Sequence, residues 1–155
     1  MTVEIRDAAP GDEADWRRLW ASYVAFYRVA VSPDVTTTTW GRIIDPATPL
    51  FMRVAVLDGH VVGFAICLLH EATWVKEPVC YLEDLFLDEA ARGKGIGKAL
   101  LDDLVDKAKA NGWARLYWHT DEGNQTARRL YDRYTEADGH VRYRMSFQAF
   151  RDGKP

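Results

Sequence analysis

The sequence predicts an α/β protein in which helices cover both faces of a mixed sheet. Runs of strand-like period alternate with runs of helical period in the order β-α-α-β-β-β-α-β-α-β, which is typical of this class. Asp58-Gly59 joins two apolar strand-like runs and predicts a tight hairpin turn. A glycine-rich turn at residues 92–97 lies between a β-branched, aromatic run and a helix-like run. No linker or repeat interrupts the pattern, so residues 1–155 are expected to form a single domain.

A short strand and two helices are predicted at the start of the chain. Residues 3–6 are strand-like, and a helix follows the Pro10-Gly11-Asp12 start. Its apolar side chains recur on one face: Trp16, Leu19, Trp20, Tyr23, Val24 and Tyr27. Ser32 then precedes Pro33, the order expected of a helix N-cap and the first helical position. This second helix runs towards Trp40.

Three strands and a long helix are predicted in the middle of the chain. Residues 51–57 and 61–69 flank the hairpin turn, and residues 79–87 form a central strand. The helix that opens at the glycine-rich turn ends at Asn111-Gly112, because glycine favours helix ends.

The last third of the chain is predicted to form a strand, a short helix and a final strand. Residues 115–120 are strand-like, and residues 125–134 have a helical pattern. Apolar side chains then alternate, as in a strand with one buried face, at Val141, Tyr143, Met145 and Phe147.

The composition excludes several classes of protein. A net charge of −3 gives no electrostatic reason to expect nucleic-acid binding. No run approaches the roughly 18 apolar residues of a membrane span, and the start of the chain has no signal-peptide pattern. We therefore expect a cytoplasmic protein without membrane contact. Cys67 and Cys80 lie in apolar runs and are expected to be buried thiols, and the four histidines lack metal-ligand spacing.

The glycine-rich turn has the properties of a phosphate-binding site. A helix N-terminus presents unpaired N–H groups and a favourable dipole to an anion. Glycine lets a ligand approach these amides closely, and Arg92, Lys94 and Lys98 add positive charge. The nucleotide-binding motifs fit poorly: Ala99 stands where a P-loop needs a hydroxyl, and the dinucleotide pattern fails in both glycine registers.

The motif Arg-x-x-Gly-x-Gly in the same turn resembles the coenzyme A pyrophosphate loop of the GNAT N-acetyltransferase superfamily. Residues 81–87 are similar to the central strand of the branch that contains spermidine/spermine and Hpa-type acetyltransferases. Residues 117–124 and 127–131 resemble the following strand and helix of that branch. The sequence departs from the pattern of this branch at residues 87–89 and 139–140, and neither segment contains a candidate catalytic residue.

The resemblance implies a GNAT fold with a mixed, mostly antiparallel sheet, and acetyl-CoA as the co-substrate, without a metal. It implies that coenzyme A would be held at these positions: Leu85, Phe86, Leu87, Arg92, Gly93, Lys94, Gly95, Ile96, Gly97, Lys98, Asn124 and Tyr131. The amides of residues 85–87 would hold the acetyl oxygen, and Asn124 would bind the pantetheine arm or cap its helix.

Glu83 is the candidate general base. An amine acceptor is a cation at neutral pH and must lose a proton before it attacks a thioester. Glu83 interrupts an otherwise apolar strand, where an ionisable group is unusual. Asp84 should point to the opposite face, because strand side chains alternate, unless a bulge re-aims one of the two. We expect Asp84 to be structural or to position the substrate; each carboxylate could instead pair with a basic residue.

Tyr131 is the candidate general acid. A phenol stays protonated at neutral pH and can donate to a thiolate. A tyrosine at helical spacing is more often part of a core, but the resemblance implies that this one faces the coenzyme sulfur.

The acceptor is expected to be a cationic small molecule or peptide, because the chain is acidic and carries two carboxylates in its central strand. The resemblance places Tyr27 and Trp40 beside the segment that covers the substrate, and it implies a homodimer to which the last strand contributes.

Two other functions are considered: a non-catalytic acyl-CoA sensor and a dinucleotide-binding unit. The pair Glu83 and Tyr131 argues against the first, and the glycine spacing argues against the second.

Overall fold

Five strands and four α-helices make up residues 2–147, the part of the chain that the computed structural model describes. In chain order they are β1 (Glu4–Asp7), α1 (Glu13–Phe26), α2 (Pro33–Ile44), β2 (Leu50–Leu57), β3 (His60–His70), β4 (Val79–Leu87), α3 (Ile96–Asn111), β5 (Arg115–Trp118) and α4 (Gln125–Tyr131). The strands lie in the order β1-β2-β3-β4-β5. All pairs are antiparallel except β4 and β5, which are parallel. The predicted mixed, mostly antiparallel sheet is confirmed.

Helices cover both faces of the sheet, as predicted. Helices α1 and α2 pack on one face, hereafter the α1 face, in a cluster with Trp16, Trp40, Phe64 and Phe86. Helix α3 packs on the other face, hereafter the α3 face, against small side chains of the central strands. That cluster includes Ala55, Ala65, Cys67, Cys80, Leu82, Leu100, Leu101 and Leu104. Both cysteines are buried and free, as the sequence predicted. Trp40 belongs to the core, which speaks against a substrate role for its side chain.

Local chemistry fixes the starts of the two N-terminal helices. The chain enters α1 through a 3₁₀ turn, where the Asp12 carboxylate accepts hydrogen bonds from the Ala9 amide and from Arg6. The Ser32 hydroxyl accepts from the Val35 amide at 3.2 Å, so Ser32 is the N-cap of α2. The Ser32 cap stabilises α2 even though the helix contains four consecutive threonines, which have low helix propensity.

The final strand predicted from the alternation at residues 141–147 is wrong. These residues have no regular secondary structure, and their apolar side chains are exposed: Val141, Tyr143, Met145 and Phe147. A strand needs a partner strand for its backbone groups, and this segment has none within residues 2–147. The predictions for α4 and β5 were also too long, since α4 ends at Tyr131 and β5 at Trp118.

No helix within residues 2–147 combines the length and the apolar character that crossing a membrane requires. The cytoplasmic location stays a prediction from the sequence.

Candidate active site

A β-bulge interrupts β4 at Glu83. Leu82 pairs with Cys67 and Asp84 pairs with Ile66, so Glu83 has no partner residue on β3. The alternation of side chains shifts at this point. Before the bulge Leu82 packs on the α3 face, and after it Leu85 packs on that face as well. Asp84 is thereby turned to the α1 face, towards helix α1.

The two adjacent carboxylates have different environments. Glu83 is exposed, whereas Asp84 is mostly buried and accepts a 2.5 Å hydrogen bond from the Tyr23 hydroxyl. Burial raises the pKa of Asp84 to about 6; the Tyr23 hydrogen bond lowers this pKa and the neighbouring Glu83 raises it. The bulge that the sequence left open therefore exists, and the two carboxylates interact instead of lying on isolated faces of a regular strand.

Strands β4 and β5 separate at the same bulge. Their parallel pairing runs only from Val79 with Arg115 to Leu82 with Trp118. Strand β4 continues to Leu87, and beyond the bulge no described strand pairs with its β5-side edge. Since alternate amides of a strand point to opposite neighbours, some N–H groups between residues 83 and 87 face this gap. The predicted oxyanion donors, the amides of residues 85–87, lie on this stretch.

Tyr131 borders the same gap from α4. Its ring contacts the Trp118 ring edge-on, with centroids 5.4 Å apart, and Trp118 is the last residue of β5. Burial raises the pKa of Tyr131 to about 12, and a nearby Tyr27 adds to this effect. The phenol therefore keeps its proton at neutral pH. Its hydroxyl makes no hydrogen bond to any other described residue.

The glycine-rich turn forms the N-terminus of α3 with its amides free. Gly93 and Gly95 have φ of 74° and 78°, in the left-handed region that glycine adopts without strain. Gly95 is the N-cap of α3, and its carbonyl accepts from the Ala99 amide. None of the amides of residues 93–98 donates a backbone hydrogen bond within the described chain. Six free amides at a helix N-terminus fit a pyrophosphate group.

The three basic side chains around this turn, Arg92, Lys94 and Lys98, make different contacts. The Arg92 guanidinium lies over the Phe86 ring and donates to the Leu87 carbonyl at 3.3 Å. Lys98 forms an exposed ion pair with Asp102 at 2.6 Å. Lys94 is exposed. A Cβ added at Gly97 would contact Leu130 and Leu87 at 3.4–3.5 Å, so this position packs against α4 and β4.

Aromatic residues of α1 lie above the bulge. A cleft of about 400 Å³ is lined by Ser22, Phe26, Phe86, Asp88, Glu89 and Arg92. Tyr27 is close enough to Asp84 and Asp121 for their charges to raise its pKa, although burial is the larger cause. Tyr27 also raises the pKa of Tyr131, although burial is the larger cause there too. The end of α1, the bulge of β4 and the end of α4 therefore lie close to one another.

The remaining predicted residues are placed as follows. The Asn124 side chain accepts from the Ala127 amide at 3.3 Å, so it caps α4, which was one of its two predicted roles. Sequence reasoning missed Tyr23 and Asp121. Tyr23 was assigned to the apolar face of α1, yet a buried tyrosine hydroxyl needs a partner, and that requirement was the available signal. No group of three or more potential ligands within residues 2–147 could hold a metal ion.

A helix N-terminus with free amides, set beside a split between two parallel strands, is the arrangement of a transferase that uses an acyl-coenzyme A. The model of the Acetyltransferase (GNAT) family matches residues 16–135, and the chain belongs to that family. It is an acetyl-CoA-dependent N-acetyltransferase. This result favours the enzyme over the acyl-CoA sensor and over the dinucleotide-binding unit.

Relatives with named activities acetylate amines. The chain is 35% identical over 146 residues to the D-amino-acid N-acetyltransferase HPA3 of Saccharomyces cerevisiae, covering 93% of this chain and 91% of that protein. It is 29% identical over 97 residues to the thialysine N-epsilon-acetyltransferase of Bos taurus, covering 59% and 56% of the two chains.

Solved structures share the fold. A ribosomal-protein-alanine N-acetyltransferase from Brucella melitensis biovar Abortus 2308 superimposes with a TM-score of 0.77 at 26% identity, over 94% of this chain and 100% of that chain. The structure of AAC(6')-Iy in complex with the bisubstrate analog CoA-S-monomethyl-acetylneamine gives a TM-score of 0.79 at 20% identity, over 94% and 99%. At that identity the second match supports the fold alone.

Proposed function

We propose that this enzyme transfers the acetyl group to a primary amine of a cationic small molecule or of a lysine-like side chain. The observation that carries the proposal is the pair of carboxylates at the β4 bulge, Glu83 and Asp84, which lies where β4 and β5 separate. An ammonium group is attracted to carboxylates, and its local concentration rises in their field. A primary amine whose net charge is zero or negative gains less from this arrangement, because its anionic groups are repelled by the same carboxylates.

The surroundings of the two carboxylates also suit a cation. Asp121 adds negative charge near Tyr27, and aromatic rings from α1 border the space. The negative face of an aromatic ring attracts ammonium groups. Tyr27, which is 41% exposed, is therefore proposed to contact the acceptor.

The coenzyme would be held at the other side of the bulge. The free amides of residues 93–98, with Arg92, Lys94 and Lys98, are proposed to bind its phosphates. Acetyl-CoA supplies the activated acetyl group as a thioester. Of the backbone N–H groups of Leu85, Phe86 and Leu87, those that point into the gap would donate to the acetyl oxygen.

Glu83 and Tyr131 are the proposed acid–base pair. Glu83 is exposed beside the gap and can take up the acceptor's proton, directly or through an intervening group, and release it to water. Tyr131 would donate the proton that the leaving thiolate needs, since its pKa of about 12 keeps it protonated. Asn124, which caps α4, is proposed to support the pantetheine arm.

The names of the relatives are consistent with an amine acceptor. They include a D-amino-acid N-acetyltransferase, a thialysine N-epsilon-acetyltransferase and an L-ornithine N5-acetyltransferase of Arabidopsis thaliana. Each of these names describes an amino-group acceptor.

A panel of amines tests the proposal. Release of coenzyme A should be measured with putrescine, spermidine, ornithine, a lysine peptide, D-amino acids and, as matched controls, neutral and anionic primary amines. We expect the highest kcat/KM with acceptors whose net charge is positive. A panel in which only neutral or anionic amines react would overturn the proposed acceptor class.

We further propose that the enzyme is a homodimer. Val141, Tyr143, Met145 and Phe147 are 75–93% exposed in an alternating segment, and the outer edge of β5 is unpaired within residues 2–147. A second copy would cover both the exposed apolar side chains and the open edge of β5, because exposed apolar patches and open sheet edges are usually covered. The association state in solution tests this part of the proposal.

A further inference from the structure

The contact between Tyr23 and Asp84 joins helix α1 to the bulge of β4. The hydrogen bond is 2.5 Å long and links residues 61 positions apart in the chain. Packing holds the Tyr23 ring from several sides, since it lies within 6 Å of the rings of Trp20, Tyr27, Phe64 and Phe86. Its hydroxyl therefore has little freedom to turn away from the carboxylate.

This arrangement leaves Asp84 with acceptor capacity. A carboxylate has two oxygens and about four lone-pair directions, and the structure shows one hydrogen bond to it, from Tyr23 to Oδ1. Asp84 has no basic partner among the ion pairs of the described residues. A buried carboxylate without a cation is costly, so it is a favourable place for a cationic ligand.

We propose that Asp84 accepts the proton of the acceptor ammonium, and that Tyr23 is the positioning residue that orients this carboxylate. The inference rests on the proposed function and assigns a catalytic role to a residue that the sequence favoured only for structure or substrate positioning. In the step, the N–H bond of R–NH₃⁺ breaks and an O–H bond forms on Asp84, which gives R–NH₂ and a neutral carboxylic acid. The proton then moves from the Asp84 carboxyl to the carboxylate of Glu83, the next residue, which is exposed and releases it to water, so Asp84 is ionised again.

The groups facing Asp84 suit this role. From α1 and its C-cap come the Tyr23 and Tyr27 hydroxyls, and from β4 itself Tyr81 and Glu83. The buried Cys67 thiol of β3 lies on the opposite face of the sheet, close enough for the charge of Asp84 to raise its pKa. Burial raises the pKa of Tyr23 well above its usual value, so Tyr23 stays a donor throughout the working range. Burial also brings the pKa of Asp84 to about 6, close to the optimum for a base at neutral pH.

The test is the pH dependence of kcat/KM for a reactive amine, at saturating acetyl-CoA, in Tyr23→Phe and Asp84→Asn. We expect an acidic limb near pH 6 in the wild type. Tyr23→Phe keeps the packed ring but removes the hydrogen bond that favours the ionised carboxylate. The limb should move up by about half to one pH unit. Asp84→Asn should lower kcat/KM by about 10²-fold at pH 7 and shift the limb towards the pKa of the free amine.

Tyr134→Phe is the matched control. Its hydroxyl also donates to an aspartate, Asp102, at 2.7 Å, but this aspartate belongs to α3 and not to the β4 bulge. This variant should keep the wild-type pH profile. The proposal would be overturned if both Tyr23→Phe and Asp84→Asn, with folding verified by circular dichroism, kept the acidic limb of the wild-type pH profile.

A second measurement separates this inference from the proposed function. Carbon-13 NMR titration of the Asp84 carboxyl, assigned through Asp84→Asn, reports its ionisation without turnover. If the wild type releases coenzyme A with none of the amines, the proposed function fails. The inference is then tested by adding putrescine: a shift of the Asp84 resonance supports an ammonium site there, and no shift overturns it.

Discussion

The Arg92 guanidinium lies 5.5 Å from the centroid of the Phe86 ring. This contact links the glycine-rich turn to the last residues of β4. Phe86 in turn contacts the Tyr23 ring at 5.7 Å. A cation at the proposed phosphate site is thereby connected, through two aromatic rings, to the carboxylate at the bulge.

Replacing Gly95 should weaken coenzyme binding. Gly95→Val places a β-branched residue at φ 78° and disturbs the N-cap that presents the free amides, so we expect about a tenfold or greater loss of acetyl-CoA affinity by calorimetry. Gly59→Val is the matched control, because Gly59 has φ 79° in the hairpin turn away from this site. It should lose stability but keep its affinity. Equal affinities in both variants would contradict the phosphate role. Gly97 is a poorer probe because its Cβ would enter packed space.

Removing the Tyr131 hydroxyl should slow turnover. Tyr131→Phe keeps the edge contact with Trp118 and loses the proton donor, so kcat should fall by about 10²-fold while acetyl-CoA affinity changes little. Because the pKa of Tyr131 is about 12, the wild-type rate should show no loss of this acid up to pH 10. Steady-state kinetics and a binding titration measure the two quantities. Normal turnover in the variant would mean that another group protonates the thiolate.

Glu83→Gln should reduce activity at neutral pH and partly recover at high pH, where the free amine is already deprotonated. Because Glu83 is exposed and Asp84 is mostly buried, we expect the loss to be smaller than that of Asp84→Asn. Initial rates of both variants between pH 6 and pH 10 give the comparison. An unchanged profile in Glu83→Gln would leave this residue without a part in proton transfer.

Asp84 should also make stability depend on pH. Its pKa is raised on folding, to about 6, so the stability that protonation provides is complete below its unfolded value of 3.8 and is lost as pH rises through 6. Asp84→Asn resembles the protonated form. At pH 8 it should be more stable than the wild type by up to about 3 kcal/mol, and the difference should disappear near pH 4. Urea unfolding at the two pH values measures it, and a variant less stable at pH 8 would contradict the buried charge.

The exposed C-terminal segment should hold the dimer together. Met145→Asp places a charge in the centre of the alternating apolar side chains and should shift light scattering from the mass of a dimer to that of a monomer. Asp138→Asn is a control with an exposed side chain that precedes this segment. A strictly monomeric wild type would contradict the proposed assembly.

The sequence predicted the elements whose pattern is local and repeated. Strand β4 has the predicted bounds, and α3 begins and ends at the predicted glycines, because period and capping residues are written in consecutive positions. The prediction of a strand at residues 141–147 was wrong. Alternating apolar and polar side chains show only that the two faces of a segment would differ, and they do not supply the neighbouring strand that its backbone needs.

The site was predictable in its residue types but only partly in its geometry. The glycine-rich turn and both carboxylates could be identified from the chain alone. The position of the bulge could not be identified from the chain alone, because the residue types of β4 do not mark where its pairing with β3 is interrupted. The partnership of Tyr23 with Asp84 depends on that bulge, and helical spacing alone placed Tyr23 in the core.

Glu83 is the extra residue of the bulge: it has no partner on β3 and does not pack in the core on either face of the sheet. Without it, Leu82 and Leu85 would be separated by Asp84 alone, and ordinary alternation would still place both leucines on the α3 face. A β4 that is one residue shorter would therefore fill the same core and pair with β3 without interruption. Glu83 is therefore a position that the core does not require, and its conservation or loss would depend on the proposed reaction alone.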